Sequence, residues 1–259
     1  MISSALKKIW DDLAIEKGDT VLIHSNIRPL LRHFFKKNIK LTPEDILDSL
    51  LMRISNSGNL IFPAFNFEVN KNKMFSKLMT KSEMGMLSEA ARIHVDSVRT
   101  NHPVYSFSCF GDLSKELVAL KNYTAYGLDS PFQYLREKNL KILVLNLSEN
   151  DSMTYYHHVE EVIGVKYRYS KHFSADFYDD DDKLIGKREY SIYVRNLEAN
   201  IITNVEPMGN ILLKNKTYIS CSYGEVIKAR VVKAKDLFNA TRDVIKEGKA
   251  LGLLYEIGN

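Results

Sequence analysis

The sequence has few cysteines and no long apolar run. Its two cysteines, Cys109 and Cys221, lie far apart in the 259-residue chain and have no CxxC spacing. We therefore expect reduced core thiols and no disulfide framework. A membrane helix needs about 18 consecutive apolar residues, which no stretch provides. The N-terminal stretch MISSALKKIWDDL alternates apolar with charged residues, unlike a signal peptide. We expect a cytoplasmic protein with no membrane partner.

Dense charge of one sign is also scarce. The formal net charge is +4, but the lysines and arginines are scattered, so nucleic acid is not an expected partner. The one dense acidic run is Asp179 to Asp182. The motifs GxSxG and HExxH do not occur, which argues against a Ser-His hydrolase and against a zinc enzyme. We therefore expect no metal.

Helical and strand-like patterns alternate along the first two thirds of the chain. The runs TVLIHS, NLIFPAFNF, PVYSFSCFG and LKILVLNL are typical of buried strands. Between them, LTPEDILDSLLMRI, MGMLSEAARIHV, LSKELVAL and SPFQYLREK have helical spacing. Thr42 suits the N-cap of the first of these helices, and Pro43 suits its first turn. This alternation predicts a layered α/β domain.

The pattern changes at about residue 166. KYRYSKHFSADFY and KREYSIYVRN alternate polar with apolar residues, as antiparallel strands do, and DDDDKLIG between them predicts a hairpin. SYGEVIKARVVKAKDLFNATRDVIKEGKALG then predicts a strand followed by an amphipathic helix that docks on the core. We predict a single domain over residues 1–259, with a β-rich insertion at about 166–225 in its C-terminal half.

Four segments place polar residues where a strand ends or a helix begins, which is where α/β folds usually hold their sites. They are HSNI (24–27), GMLSEAARIHVDSVRTNHPVYSFSCFG (85–111), YGLDSPFQYL (126–135) and MTYYHHVEEVIG (153–164). Each also fits an ordinary structural explanation: a strand-end turn, a loop-pinning ion pair, a helix cap, or routine polar pairs on a surface helix. No segment decides between the two explanations alone.

The last segment has the spacing of a general base. In a helix, Thr154 and His157 lie one turn apart, and Glu160 and Glu161 follow one turn later. A glutamate bonded to one imidazole nitrogen fixes the tautomer and leaves the other nitrogen to take a proton. The spacing alone does not choose between Glu160 and Glu161.

In their order, the segments resemble the aminoglycoside 3-N-acetyltransferase family, which uses acetyl-coenzyme A and is distinct from the GNAT superfamily. KGDTVLIHSNI is similar to the family segment GDTLLVHSSL, and NLIFPAFNF is similar to TLVMPTFT. The segment 85–111 resembles G-x-L-x-E-x-x-R followed by R-S-x-H-P, SPFQYL resembles SP-x-x-x-L, and MTYYHHVEE resembles N-T-x-x-H-x-x-E. The match is dense over residues 18–168. It implies a three-layer α/β/α sandwich with a deep cleft.

The resemblance also implies roles for individual residues. It makes His157 the catalytic base, Glu160 its partner and Thr154 an oxyanion donor, and leaves His158 as a neighbour without a role. The residues expected to contact acetyl-coenzyme A, the implied cosubstrate, are His24, Ser25, Asn26, Ser106, Ser130 and Pro131. The residues expected to contact the acceptor are Glu89, Arg92, Arg99, His102 and Glu161.

The implied reaction is direct acetyl transfer to an acceptor amine in a ternary complex. An aminoglycoside is a polycation, and the basic chain argues against it. We therefore expect an amino sugar, including a nucleotide-linked one used in surface polysaccharide synthesis. An aminoglycoside resistance enzyme is the alternative within the family, and a non-catalytic sugar-binding or coenzyme A-binding homologue is the alternative from another class. The expected partners are these small molecules, with a homodimer as an option.

Overall fold

The computed structural model describes residues 2–223 and 227–258. Its helices are α1 (Ile2–Asp12), α2 (Arg28–Phe35), α3 (Pro43–Ile54), α4 (Val69–Asn72), α5 (Met86–Ile93), α6 (Leu113–Ala119), α7 (Pro131–Glu137), α8 (Glu149–Ser152), α9 (Tyr155–Ile163), α10 (Glu206–Lys214) and α11 (Ala234–Lys246). Its strands are β1 (Thr20–Ser25), β2 (Asn59–Pro63), β3 (Met74–Ser76), β4 (Val98–Arg99), β5 (Phe107–Phe110), β6 (Lys141–Leu145), β7 (Arg168–Tyr178), β8 (Leu184–Arg195), β9 (Ile201–Thr203), β10 (Ile219–Tyr223), β11 (Ile227–Lys233) and β12 (Tyr255–Ile257).

A seven-stranded sheet forms the middle of the fold, in the order β10-β11-β6-β1-β2-β5-β4. The three central strands β6, β1 and β2 are parallel, and the outer strands pair antiparallel to their neighbours. The carboxyl ends of the central strands therefore meet at one edge of the sheet. Binding sites of open α/β sheets usually lie at such an edge.

Each face of this sheet is covered by helices. Successive side chains of a strand point to opposite faces. Val21 and Ile23 accordingly join a core with α1, α2, α3 and α5, whereas Leu22 joins the opposite core with α7, α9, α10 and α11. Leu237 of the terminal helix is fully buried there, as its spacing predicts. The predicted three-layer α/β/α architecture is confirmed.

The β-rich portion is a long hairpin with a short third strand. Strands β7 and β8 pair antiparallel from Arg168 opposite Arg195 to Tyr178 opposite Leu184, and β3 pairs parallel to β7. The acidic run lies in the turn between the two long strands, as predicted. Strand β10, at the end of the predicted region, instead joins the main sheet, where it pairs with β11. Part of the predicted strand SYGEV, residues 224–226, lies outside the described residues.

Two details differ from the sequence predictions. The strand predicted at PVYSFSCFG begins only at Phe107, because His102 Nδ1 accepts the backbone N–H groups of Val104 and Tyr105 and holds these residues in a turn. Cys109 lies in the core, where burial raises the pKa of its thiol. Cys221 is only half-buried, on the edge strand β10, so it is not a core thiol.

No helix within residues 2–223 and 227–258 is long and apolar enough to cross a membrane.

Helix α3 begins with the predicted cap, and its contribution to stability can be measured. The Thr42 hydroxyl accepts the Asp45 N–H over 3.1 Å, and the Asp45 carboxylate accepts the Thr42 N–H over 2.8 Å. Thr42→Ala removes the first of these bonds and should lower the free energy of unfolding by about 0.5–2 kcal/mol. Urea denaturation measures the change. Thr42→Ser, which keeps the hydroxyl, is the matched control, and an equal loss in both variants would contradict the role of the cap.

Candidate active site

Helix α9 brings His157 and Glu160 together on one face. Because they lie three positions apart, their side chains are neighbours, and His157 Nδ1 lies 2.8 Å from Glu160 Oε2. A carboxylate only accepts, so Nδ1 carries the proton and donates it. The neutral ring keeps a free lone pair on Nε2, as a general base requires. The His157 side chain is 21% exposed, so part of the ring is accessible.

Two further groups hold the Glu160 carboxylate, which is fully buried. Arg168 Nε lies 2.7 Å from Oε2, and the Tyr167 hydroxyl donates to Oε1 over 3.0 Å. Arg168 itself donates hydrogen bonds to the Tyr193 carbonyl and the Thr203 hydroxyl. A buried charge is stable only with partners of this kind. They fix the direction of the carboxylate and thereby the orientation of the imidazole.

The surroundings of His157 lower its pKa below the usual 6.5. Burial, the largest cause, disfavours the charged imidazolium, and the positive charge of Arg168 acts in the same direction. The hydrogen bond and the charge of Glu160 oppose both. Since the lowering effects prevail, the ring is neutral near physiological pH and is able to take a proton.

Thr154 lies one turn before His157, as the spacing predicts. It is the N-cap residue of helix α9 but makes no capping hydrogen bond with its side chain. Its carbonyl accepts the His157 N–H over 3.0 Å, which fixes the relative position of the two residues. The role of its hydroxyl as an oxyanion donor stays a prediction.

Glu161 lies beside a different part of the chain: a Cβ at Gly127 would lie 3.0 Å from its Oε1. Burial, the largest cause, and the charge of Asp129 raise the pKa of its carboxyl to about 7. The contacts thus favour Glu160 as the partner of His157. Acceptor binding by Glu161 stays a prediction.

His158 packs into the core on the other side of the helix. The side chain is fully buried, and its Nδ1 donates to the Tyr126 carbonyl. The ring stacks near Phe132 and also packs against Phe238. These contacts explain the second histidine of the doublet without a catalytic role.

His157 lines a cavity of about 360 Å³, here called the His157 cavity. Its walls are mainly aromatic and basic. The aromatic residues are Tyr105, Tyr126, Tyr169, Phe173 and Tyr193, and the basic ones are Arg168, Lys171 and Arg195. The lining includes no aspartate or glutamate within the described ranges. A cavity of this composition favours neutral or anionic ligands over polycations.

A second cavity, of about 310 Å³, lies at the carboxyl ends of β1 and β2 and is here called the strand-end cavity. It is lined by His24, Ser25 and Asn26 on one side and by Leu147 and Asp151 on the other. His24 Nε2 and Ser25 Oγ are buried and have no hydrogen-bond partner in the described part of the chain. Burial lowers the pKa of His24 to about 3, so its ring is neutral. These unpaired polar atoms are available to a ligand.

The other residues predicted to contact the cosubstrate do not line this cavity. Ser106 is buried and donates to the Ala64 carbonyl over 3.1 Å. Ser130 occupies the N-cap position of α7, but its hydroxyl donates to the Gly127 carbonyl over 2.7 Å instead of capping the helix. Pro131 is buried at the start of the same helix. Their observed partners are structural, and their binding roles stay predictions.

Glu89 and Arg92 were both predicted to bind the acceptor, and they form an ion pair with each other. Glu89 and Arg92 form an ion pair of 2.7 Å on helix α5, and Glu89 also accepts the Ser82 backbone N–H. Neither residue lines the His157 cavity or the strand-end cavity. The pair joins helix α5 to the loop before it.

Arg99 and His102 are engaged by backbone groups. The buried Arg99 guanidinium donates to the Ala64 and Thr80 carbonyls and to the Ser106 hydroxyl. His102 is fully buried, and burial lowers its pKa to about 4. Arg99 thus joins loops through backbone carbonyls, whereas the alternative explanation expected an ion pair. Substrate binding by these side chains stays a prediction.

Several residues of the His157 cavity are missing from the sequence-based assignment. Arg168 was visible in the stretch KYRY (166–169), which follows the segment of the predicted base. Lys171, Tyr193 and Arg195 belong to β7 and β8, where period-two alternation predicts strands but not the face that meets the helix. Tyr126 begins the segment 126–135, which the sequence analysis selected for its turn and helix start and not for the tyrosine.

Comparison with known proteins adds a family and a fold. A family model described as Aminoglycoside 3-N-acetyltransferase matches residues 22–246. The structure titled AAC-IIIb binary with CoASH is 16% identical, with a TM-score of 0.78, and the match covers 95% of this chain and 96% of that chain. The structure of AAC-VIa bound to sisomicin is 18% identical, with a TM-score of 0.78, and the match covers 96% of this chain and 98% of that chain. The structure of YokD protein from Bacillus subtilis is 17% identical, with a TM-score of 0.75, and the match covers 94% of this chain and 98% of that chain. No curated protein matches the chain.

The contribution of Glu160 to the basicity of His157 can be measured directly. Glu160→Gln should lower the His157 pKa further, because the carboxylate that stabilises the imidazolium is lost while Arg168 remains. NMR titration of the His157 ring protons reports the value. Glu16→Gln, at an exposed position, is the control and should leave the titration unchanged. A His157 pKa that rises in Glu160→Gln would refute the pairing.

Proposed function

Because the chain belongs to the aminoglycoside 3-N-acetyltransferase family, we propose that it transfers an acetyl group from acetyl-coenzyme A to the amine of an amino sugar, with His157 as the general base. The family makes it an N-acetyltransferase. The observation that carries the catalytic assignment is the 2.8 Å contact between His157 Nδ1 and the buried Glu160, at the wall of a cavity.

The chemistry needs one proton acceptor close to the attacking nitrogen. The acceptor amine attacks the thioester carbonyl carbon, a C–N bond forms, and His157 Nε2 takes a proton from the nitrogen. Collapse of the tetrahedral intermediate breaks the C–S bond, and the imidazolium returns the proton to the leaving thiolate. The products are an acetamide and free coenzyme A. Glu160 stabilises the transient imidazolium without itself becoming protonated.

The strand-end cavity is the proposed site of the cosubstrate. His24 Nε2 and Ser25 Oγ provide a polar wall that the protein itself leaves unpaired. The solved relative AAC-IIIb was determined with CoASH. Leu147 and Asp151 line this cavity, and His157 lines the other. The short stretch of chain from Asp151 to His157 therefore contributes residues to both cavities. A ternary complex requires the two substrates to bind close to each other in this way.

Thr154 is the proposed oxyanion donor. It lies between Asp151 and His157 in this connection, and its hydroxyl is free of a capping bond. A hydrogen bond to the developing oxyanion contributes about 10²–10³ in rate. This assignment agrees with its place in the family motif.

The proposed acceptor is an amino sugar, including a nucleotide-linked one. The His157 cavity has basic and tyrosine walls, which suit a sugar with an anionic group. An aminoglycoside is the second candidate, because the solved relative AAC-VIa was determined with sisomicin bound. Surface polysaccharide synthesis, a cytoplasmic location and a homodimer stay predictions.

Loss of the base should remove turnover without unfolding the protein. His157→Ala should lower kcat by about 10²–10⁴, because the amine then loses its proton acceptor. Thiol release from acetyl-coenzyme A measures kcat, and circular dichroism monitors the fold. His33→Ala, a histidine on helix α2, is the matched control and should keep full activity. Near-normal transfer by folded His157→Ala would rule out the proposed mechanism.

A panel of acceptors distinguishes the proposed functions. Thiol release should be fastest with nucleotide-linked amino sugars, slower with free amino sugars and slowest with sisomicin, because the cavity is basic. A preference for sisomicin would favour the resistance function. Binding of acetyl-coenzyme A without thiol release for any amine would instead identify a non-catalytic homologue.

A further inference from the structure

The positive charge of the chain is concentrated in the segment that contains helix α2. Residues 28–40 include five lysines and arginines and no aspartate or glutamate. The whole chain has 36 lysines and arginines against 32 aspartates and glutamates, so without these five its formal net charge of +4 would be −1. Basic residues are scattered along the chain, but their excess over acidic residues is local.

Apolar and basic side chains share the exposed side of this segment. Leu30 and Phe34 are buried and hold helix α2 on the core. The outer side has a shallow hollow of about 350 Å³. The hollow is lined by Leu31, Arg32, Phe35, Ile39, Lys40 and Leu41. This outer side of residues 31–41 is here called the α2 face.

Phe35 is the largest exposed apolar group of the α2 face. It is 75% exposed, although its neighbour Phe34 is buried. Arg32 and Lys40, which line the same hollow, are exposed as well. An aromatic ring between cations is typical of surfaces that enter the boundary of a membrane, where the ring leaves water and the cations meet lipid phosphates.

The charges of the segment have no carboxylate partner within the described ranges. None of its five lysines and arginines forms an ion pair with a residue of 2–223 or 227–258. Two acidic residues that flank the segment have other partners. Asp19 pairs with Lys141 at 2.6 Å, and the Asp45 carboxylate accepts the Thr42 N–H. The positive field is therefore available to an anionic partner outside the chain.

We propose that the α2 face docks on an anionic lipid surface. Phe35 enters the boundary between headgroups and acyl chains, and Arg32 and Lys40 contact the lipid phosphates. The aliphatic lining of the hollow suits this boundary better than it suits a nucleic acid, whose backbone offers only charge to such side chains. A peripheral contact needs no spanning helix, and the expectation of no membrane partner concerned spanning helices and leader peptides alone.

Docking on this side leaves the candidate active site accessible. Leu30 and Phe34 of α2 pack on one face of the main sheet, whereas Tyr155 and Val159 of α9 pack on the other. The helix that carries His157 therefore lies in the layer away from the lipid. The inference does not depend on the proposed function.

Sedimentation with phospholipid vesicles tests the docking. The protein should bind vesicles of phosphatidylcholine with phosphatidylserine and should not bind vesicles of phosphatidylcholine alone. Phe35→Ser should weaken binding about tenfold, because the apolar ring is lost. Arg32→Gln/Lys40→Gln should weaken it about fivefold for each charge removed. Added salt should weaken it too, because salt screens the attraction. A wild-type protein that ignores phosphatidylserine would refute the proposal.

Helix α10 provides matched control variants in the other layer. Leu213 is 43% exposed, and Lys214 and Lys216 beside it are exposed, whereas Leu212 belongs to the core shared with α9. Leu213→Ser and Lys214→Gln/Lys216→Gln should keep full vesicle binding, with circular dichroism to check the fold of every variant. Equal weakening in these controls would indicate attraction by net charge alone and would contradict a docking face.

Three further results would assign the α2 face to another partner and so overturn the proposal. Phe35→Ser could bind vesicles as well as wild type while Arg32→Gln/Lys40→Gln does not, which would indicate a soluble polyanion such as nucleic acid. Sedimentation equilibrium could show a dimer that Phe35→Ser dissociates, which would identify an interface between two copies of the chain. Arg28 of the same segment lines the strand-end cavity. Loss of vesicle binding in saturating coenzyme A would therefore assign the basic segment to the cosubstrate.

Discussion

The buried carboxylate of Glu160 determines how the candidate active site is arranged. It contacts His157, Tyr167 and Arg168 at once, and so joins helix α9 to the start of strand β7. Removing one partner of a buried ion pair typically costs about 3–5 kcal/mol, because the remaining charge is left uncompensated. The carboxylate that orients the His157 imidazole therefore also holds the start of the hairpin against helix α9.

A second buried carboxylate, Glu149, anchors the start of the same segment. It accepts hydrogen bonds of 2.6 Å from the hydroxyls of Tyr156 and Tyr218, and it forms an ion pair of 2.9 Å with Arg230. A Cβ at Gly209 would lie 2.8 Å from its carboxyl carbon, so helix α10 packs closely against it. Because Tyr156 belongs to α9, the short helix α8 and the helix of the base cannot move independently. The segment is fixed at both ends by carboxylates on different networks.

The local part of the site could be predicted because it lies within one helix. The spacing of His157 and Glu160 fixes their contact wherever the helix forms. The cavity wall could not be predicted, because the position of Arg195 depends on strand pairing and on the packing of the hairpin against α9. Arg99 has contacts that the sequence does not predict: its guanidinium donates to the Ala64 carbonyl, which is far away in sequence. The alternation of elements likewise predicted the layers of the fold but not the order of its strands.

The arrangement separates the enclosed charges around His157 from the exposed charges of the cavity lining. The charge that tunes His157 is enclosed, since Glu160 and Arg168 are both buried and compensate each other. Lys171 and Arg195, which also line the cavity, are exposed. Exposed charges interact only weakly with a buried group, because the solvent around them screens the interaction. The charge of the outer lining can therefore change while the contact between His157 and Glu160 stays the same.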